Sequence, residues 1–284
     1  MTNRMQGKTV MVTGATDGIG LVTARVLAEP GARVLLVGRN EQKGRQAIAS
    51  IRQTASGADL TFHRADLSLM ADIRCLVRNV MESEPHLDVL VNNAGGIFQN
   101  RSETAEGFER TFALNHLNYF LLTHLLLGLL RQAPSARIVN VASRAHEGGV
   151  LDFDDLQMQR RYNGWRAYRT SKLANILFTR ALAKRLEGST VTANSLHPGF
   201  VRTRFGGGNA APFRLAVRLA MAAMAIDVEE GAKTSIHLAA SPDVEGQSGG
   251  YYVKSAPATP SAAAQDDAAA ERLWQISEAM VAAK

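Results

Sequence analysis

The feature that most restricts the fold is a junction near the N-terminus. Lys8-Thr-Val-Met-Val-Thr13 passes without a linker into Gly14-Ala-Thr-Asp-Gly18-Ile-Gly20. A short β-branched run of this kind predicts a buried strand. Leu21, Ala24, Val26, Leu27 and Ala28 then recur in a helical pattern, which stops at Pro30-Gly31. Strand, glycine turn and helix in direct succession is the context that gives glycines a meaning. They let the backbone turn tightly, and they let an anion approach the helix N-terminus, where free N–H groups and the helix dipole favour it. The spacing is Gly-x-x-x-Gly-x-Gly and not the commoner Gly-x-Gly-x-x-Gly. The surroundings, more than the string, predict a site for the pyrophosphate of a dinucleotide.

The remainder repeats the same unit. Strand patterns are expected at 33–38, 60–64, 87–92, 136–142, 190–195 and 250–253. Helical patterns are expected at 41–56, 69–83, 108–130, from Ala167 onward, 228–240 and 265–282. Six β–α units without a break predict one α/β domain over 1–284, a doubly wound sheet of about seven mostly parallel strands with helices on both faces. Residues 204–226 change character: three glycines precede Pro212, Phe213, Leu215, Val217 and Leu219, which fits either a substrate lid or a surface helix.

Composition removes several functions. The net charge is +6, but Lys and Arg are scattered, so no nucleic-acid partner is expected. The histidines show no metal-ligand spacing, and no metal is expected. No signal-peptide core is visible, and the apolar run from Tyr119 to Leu130 is short for a bilayer and carries His124. No membrane span and a cytoplasmic setting are expected. The single cysteine, Cys75, lies among Ile73, Leu76 and Val77 and is expected to be buried and inert.

Chemistry-bearing residues gather where predicted strands end. Arg39 follows the second strand at the place where a dinucleotide site meets the adenosine ribose. An acidic residue there would grip the ribose hydroxyls; an arginine fork suits a 2′-phosphate, so NADP (NADPH) is expected over NAD, unless Arg39 is merely solvated. Asp66 is placed to accept from an adenine amino group or to serve a helix start. Asn92-Asn93-Ala94-Gly95 offers small residues at a strand end. Asn115 falls inside an apolar helix, either as a satisfied core amide or as a group ordering water or lysine. Ser143 ends the fifth strand. Tyr168 and Lys172 lie one helical turn apart on one face. A cation about 4 Å away at an effective dielectric of about 20 is worth about 4 kcal/mol. That is enough to bring a phenol from about 10 to about 7, where it both gives and takes a proton.

Thr13-Gly14-x-x-x-Gly18-x-Gly20, Asn92-Asn93-Ala94-Gly95, Asn115, Ser143, Tyr168-x-x-x-Lys172 and Pro198-Gly199-x-x-x-Thr203 together resemble the short-chain dehydrogenase/reductase family, in order and over essentially the whole chain. Ala142-Ser-Arg-Ala-His146, Phe153-Asp-Asp-Leu156, Ser171-Lys-Leu-Ala-Asn175, His197-Pro-Gly199 and Leu273-Trp-Gln-Ile-Ser-Glu278 resemble its retinol dehydrogenase-like branch. Arg169 departs from it, standing where a glutamine is frequent, and the membrane segment of many such enzymes is not found. The resemblance implies a Rossmann-type fold and NADP-dependent hydride transfer between nicotinamide and the carbonyl/alcohol pair of a lipophilic alcohol, aldehyde or ketone. It implies Tyr168 as proton carrier, Lys172 as the group that tunes it and holds the nicotinamide ribose, Ser143 as hydrogen-bond partner of the substrate oxygen, and Asn115 as support for a proton relay. For the nucleotide it implies Gly14, Thr16, Asp17, Gly18, Ile19 and Gly20 at the pyrophosphate. Arg39 and Asn40 follow at the 2′-phosphate, Asp66 and Leu67 at the adenine, and Asn93, Ala94 and Gly95 at the ribose side. Pro198, Gly199, Val201 and Thr203 stand at the nicotinamide. It also implies a homo-oligomer, with the Tyr168 and Asn115 helices as contact surfaces. A ketoreductase of secondary metabolism and a non-catalytic NADP-binding regulator are the alternatives.

Overall fold

In the computed structural model, residues 4–201 and 227–283 are described. Thr203 and the expected lid at 204–226 lie outside them. The strands are β1 (Thr9–Thr13), β2 (Arg33–Gly38), β3 (Leu60–Arg64), β4 (Val89–Asn92), β5 (Ala136–Val141), β6 (Val191–His197), β7 (Tyr251–Val253) and β8 (Ala256–Pro257). They form one sheet in the order β3-β2-β1-β4-β5-β6-β7-β8, parallel throughout except for β8, which pairs antiparallel with β7. The two-residue β8 adds an eighth strand to the expected seven; it is too short to carry a hydrophobic alternation.

Successive side chains on a strand point to opposite faces. Met11, Leu35, Leu90 and Ile138 enter one apolar core, and Val10, Val12, Val34, Leu36, Val91 and Val139 enter the other. Burial on both sides explains why these strands read as unbroken apolar runs. The first core is covered by α3 (Met70–Ser83), α5 (Asn118–Gln132), α6 (Gly164–Arg185) and α8 (Asp267–Ala282). The second is covered by α1 (Gly18–Ala28), α2 (Glu41–Thr54) and α7 (Val228–Ala240).

The strand order reverses direction between β1 and β4, and ligands of open α/β sheets bind outside the strand C-termini at such a switch point. Thr13, Gly38, Asn92, Val141 and His197 all end on that edge.

One expectation is corrected by packing. Cys75 is exposed, because the buried stripe of α3 is Met70, Ile73, Leu76, Val77 and Val80 and residue 75 lies on the other side of the helix. An aromatic face of α5 and α6 is covered by α8 of the same chain. Trp274 stacks on Phe178 at 5.9 Å and meets Phe120 edge-on at 4.9 Å. Arg180 and Lys184 pair with Asp267, and Arg185 pairs with Glu271. The helix Arg110–Gln132, with α4 (Arg110–Phe112) as its first turn, is long and apolar enough to cross a membrane. Here it is a core helix, with 72% of its apolar window buried inside the fold.

Candidate active site

The glycine turn is built from backbone approach. Gly14 and Gly18 have φ of 65° and 54°, values that side-chain-bearing residues rarely adopt. A Cβ on Gly20 would meet Gly14 O and lie 2.5 Å from Asn93 Nδ2. Asn93 closes the turn from the neighbouring strand: its Nδ2 donates to Thr13 O at 2.7 Å, and the Thr13 hydroxyl accepts from Asn93 and Ala94 N–H. The Asn93 amide nitrogen therefore braces the loop. Thr16 packs against Gly38, where a Cβ would come 2.8 Å from its methyl. Asp17 caps α1 by accepting from Gly18 N–H, and Ile19 packs onto the second core. The loop thus leaves a clear cradle over the N-terminus of α1, which fits a pyrophosphate.

At the end of β2, Arg39 is exposed and has no hydrogen-bond or ion-pair partner among the described residues. Asn40 accepts from Lys43 N–H and caps α2, so its side-chain oxygen is committed inside the protein. Asp66 accepts from both the N–H and the hydroxyl of Ser68. It does not cap α3. Glu106 does that from a distant loop, accepting from Met70 and Ala71 N–H at 2.8 and 2.9 Å. The Leu67 side chain lies in the first core. Val201 is buried against Gly231 of α7.

Ser143, Tyr168 and Lys172 converge beyond β5. Ser143 starts a 3-10 turn, Arg144–Gly148, with its hydroxyl accepting from Ala145 N–H at 3.1 Å, and it also hydrogen-bonds Tyr168. Tyr168 is half-buried and Lys172 is buried. Lys172 Nζ donates to Val141 O at 2.8 Å and lies 5.8 Å from the Tyr168 ring centre. The expectation that Lys172 draws the phenol toward neutrality is not met. Burial pushes Tyr168 up to about 12, with the Ser143 hydrogen bond pulling weakly the other way, and burial pushes Lys172 down to about 7. Desolvation is the first cause at both groups, and at Lys172 the sole one.

Asn115 lies on a π-helical segment, Ala113–Leu117, that interrupts the expected continuous helix; Asn118 N–H reaches back to Ala113 O. Its amide is fully occupied. Oδ1 accepts from Gly96 N–H, and Nδ2 donates to Gly96 O and the Ser171 hydroxyl. Ser171 donates in turn to Tyr168 O, so Asn115 steadies the backbone of the Tyr168 turn. A Cβ on Gly95 would lie 3.1 Å from Asn115 Oδ1 and 3.6 Å from Lys172 Nζ, which places the β4 exit beside the same cluster.

Sequence reasoning assigned no role to His146, His197 or Ser171. His146 is buried, with Nδ1 2.7 Å from Ser143 O and Nε2 accepting from Ser261 N–H at 3.1 Å. His197 accepts from Arg144 N–H at Nδ1, and burial lowers it to about 4. The one available signal was position: both lie within a turn of a strand end that carries chemistry. Among the described residues no cluster of metal ligands occurs.

The short chain dehydrogenase family model matches residues 8–211. This chain belongs to that family. Retinol dehydrogenase 14 of Mus musculus is 44% identical over 289 residues, spanning 98% of this chain and 86% of the relative. Retinol dehydrogenase 12 of Bos taurus is 42% identical, spanning 95% and 85%. Among solved structures, an uncharacterised protein from Mycobacterium paratuberculosis superposes with a TM-score of 0.80 at 31% identity, covering 99% of this chain and 95% of that one. The Pseudomonas aeruginosa RhlG/NADP active-site complex does so with 0.70 at 29%, covering 88% and 96%. As a short-chain dehydrogenase of retinol dehydrogenase-like type, the chain is an oxidoreductase of CH–OH/C=O groups.

Proposed function

We propose that the protein is an NADP-dependent oxidoreductase acting on a lipophilic carbonyl/alcohol pair. The observation that carries this reading is the meeting of Ser143, Tyr168 and Lys172 beside the glycine cradle. A bound nicotinamide would supply the hydride. Ser143 would hold the substrate oxygen, and Tyr168, protonated up to about pH 12, would give that oxygen its proton. Lys172, titrating near 7, would carry the positive charge that offsets the phenolate. Gly14, Gly18 and Gly20 would face the pyrophosphate, and the Asp66 region the adenine.

Arg39 supports NADP, since its guanidinium is exposed, without a partner among the described residues, where a 2′-phosphate would lie. Trp165 and Phe200 support an apolar substrate. Both are unusually exposed for aromatic residues, and Trp165 stands edge-on to Tyr168 at 6.2 Å. The names of the relatives point to the same substrate class. Fluorescence titration with NADPH and NADH, wild type beside Arg39→Ala, tests the cofactor. Loss of about 10- to 100-fold in NADPH affinity is expected for one charge-assisted contact, with NADH unchanged. Equal binding of both nucleotides by the wild type would remove the NADP assignment.

A further inference from the structure

We propose that the C-terminal segment is a working part of the catalytic site, and that His146 is the positioning residue through which it holds Ser143. The proposal rests on the oxidoreductase reading for Ser143.

The hydrogen bonds fix the tautomer. Ser261 N–H can only donate, so His146 Nε2 is the bare nitrogen. Nδ1 therefore carries the proton and donates to Ser143 O. The backbone N–H of His146 reaches the same carbonyl at 3.1 Å. Ser143 is thus held at its carbonyl by two donors of one residue, while its hydroxyl remains directed to Ala145 N–H and Tyr168. The imidazole is fixed on its other side as well, edge-on to Tyr251 of β7 at 5.1 Å. It is 1% exposed, so no water replaces Ser261 as donor. Burial lowers its proton affinity, against the hydrogen bond to Ser143 and the charge of Glu147, which raise it, and Arg144 adds a smaller lowering. A protonated ring would set Nε2–H against Ser261 N–H.

Ser261 lies 118 positions after Ser143, in the connector between β8 and α8. Its hydroxyl has no partner among the described residues, so the backbone N–H is its contribution. Its φ of −58° suits proline, whose ring would take the place of that hydrogen and displace His146. Ser261→Pro against Ser261→Ala therefore isolates the link at a distance from the substrate.

Relative to Ser261→Ala, the proline variant is expected to lose about 10-fold or more in kcat, because small misplacements of a catalytic group are expensive. KM for the nucleotide should stay within about twofold, since the glycine cradle is not involved. His146→Asn, which keeps an N–H near the Nδ1 position, should retain more turnover than His146→Ala. Equal kcat in the two Ser261 variants would overturn the proposal, as would a joint rise in nucleotide KM. Nitrogen-15 spectra of the wild-type histidines, assigned by loss of signal in His146→Asn, give a readout without turnover. The proposal requires the Nδ1–H tautomer at His146, and an Nε2–H tautomer would sink it even if the Ser261 variants fail to fold. Absence of wild-type turnover on any alcohol or carbonyl would instead sink the oxidoreductase reading, and the tautomer would still decide the brace.

Discussion

The glycine turn proposed to cradle a nucleotide and the Ser143–Tyr168–Lys172 cluster proposed to move a proton share one sheet edge but are built from different materials. The cradle is backbone: glycines at φ of 65° and 54°, a threonine hydroxyl and an asparagine amide that tie two strand ends together. The proton cluster consists of side chains brought from three places, Ser143 after β5, Tyr168 and Lys172 on α6, and Asn115 on a π-turn. A backbone site tolerates water and works through shape. A side-chain site enclosed by apolar packing has its proton affinities set by burial, which is why Tyr168 lies near 12 and Lys172 near 7. In the first region, then, substitutions should act by volume. In the second they should act by charge and donor count.

Tyr168→Phe should sharpen that contrast most. It removes one hydroxyl from the proton cluster and leaves the cradle alone. Turnover should fall by roughly 1,000-fold or more, within the range of general acid–base contributions, while NADPH titrates as in the wild type. A variant with near wild-type rates would break the assignment of the two regions. Gly20→Ala tests the other side. A methyl there meets Gly14 O and Asn93 Nδ2, so nucleotide affinity should drop sharply and the fold should lose about 1–3 kcal/mol from overpacking. Unchanged affinity with normal stability would mean that the turn is not a cradle.

A smaller effect concerns the whole fold. His116 and His197 are both lowered from 6.5 to about 4, mainly by burial. The unfolded chain therefore binds more protons than the folded one between those values, and stability falls as pH drops from about 6.5 through 4. Thermal unfolding should show a midpoint that declines through this window. His116→Phe should flatten the decline, because His116 is buried with its Nε2 against Ser277 of α8. An unaltered slope in that variant would show that His116 is not neutral in the folded protein.

The order of the elements, the sheet with its parallel strands, and the positions of Gly14, Ser143, Tyr168 and Lys172 at strand ends or on α6 could all be read from the chain. They depend on local signals: period-2 and helical spacing, and glycines where a strand gives way to a helix. Cys75 and Leu67 show where such reading stops. Each sits beside apolar neighbours, yet one faces solvent and the other the core, because orientation is set by the partner an element packs on. The placement of Arg39 was legible too, but its lack of a partner among the described residues was visible only once the surrounding loops were in place.

What the sequence determined by itself was therefore the α/β order, the glycine turn and the positions of Ser143, Tyr168 and Lys172. Tertiary structure alone decided their state. Burial reversed the expected lowering of the Tyr168 phenol, since desolvation depends on enclosure by residues far away in the chain. The π-turn at Ala113–Leu117 committed Asn115 to Gly96 and Ser171. The C-terminal segment reached Ser143 through His146 across more than a hundred positions, a link that no local pattern encodes because its two ends meet only in the folded chain.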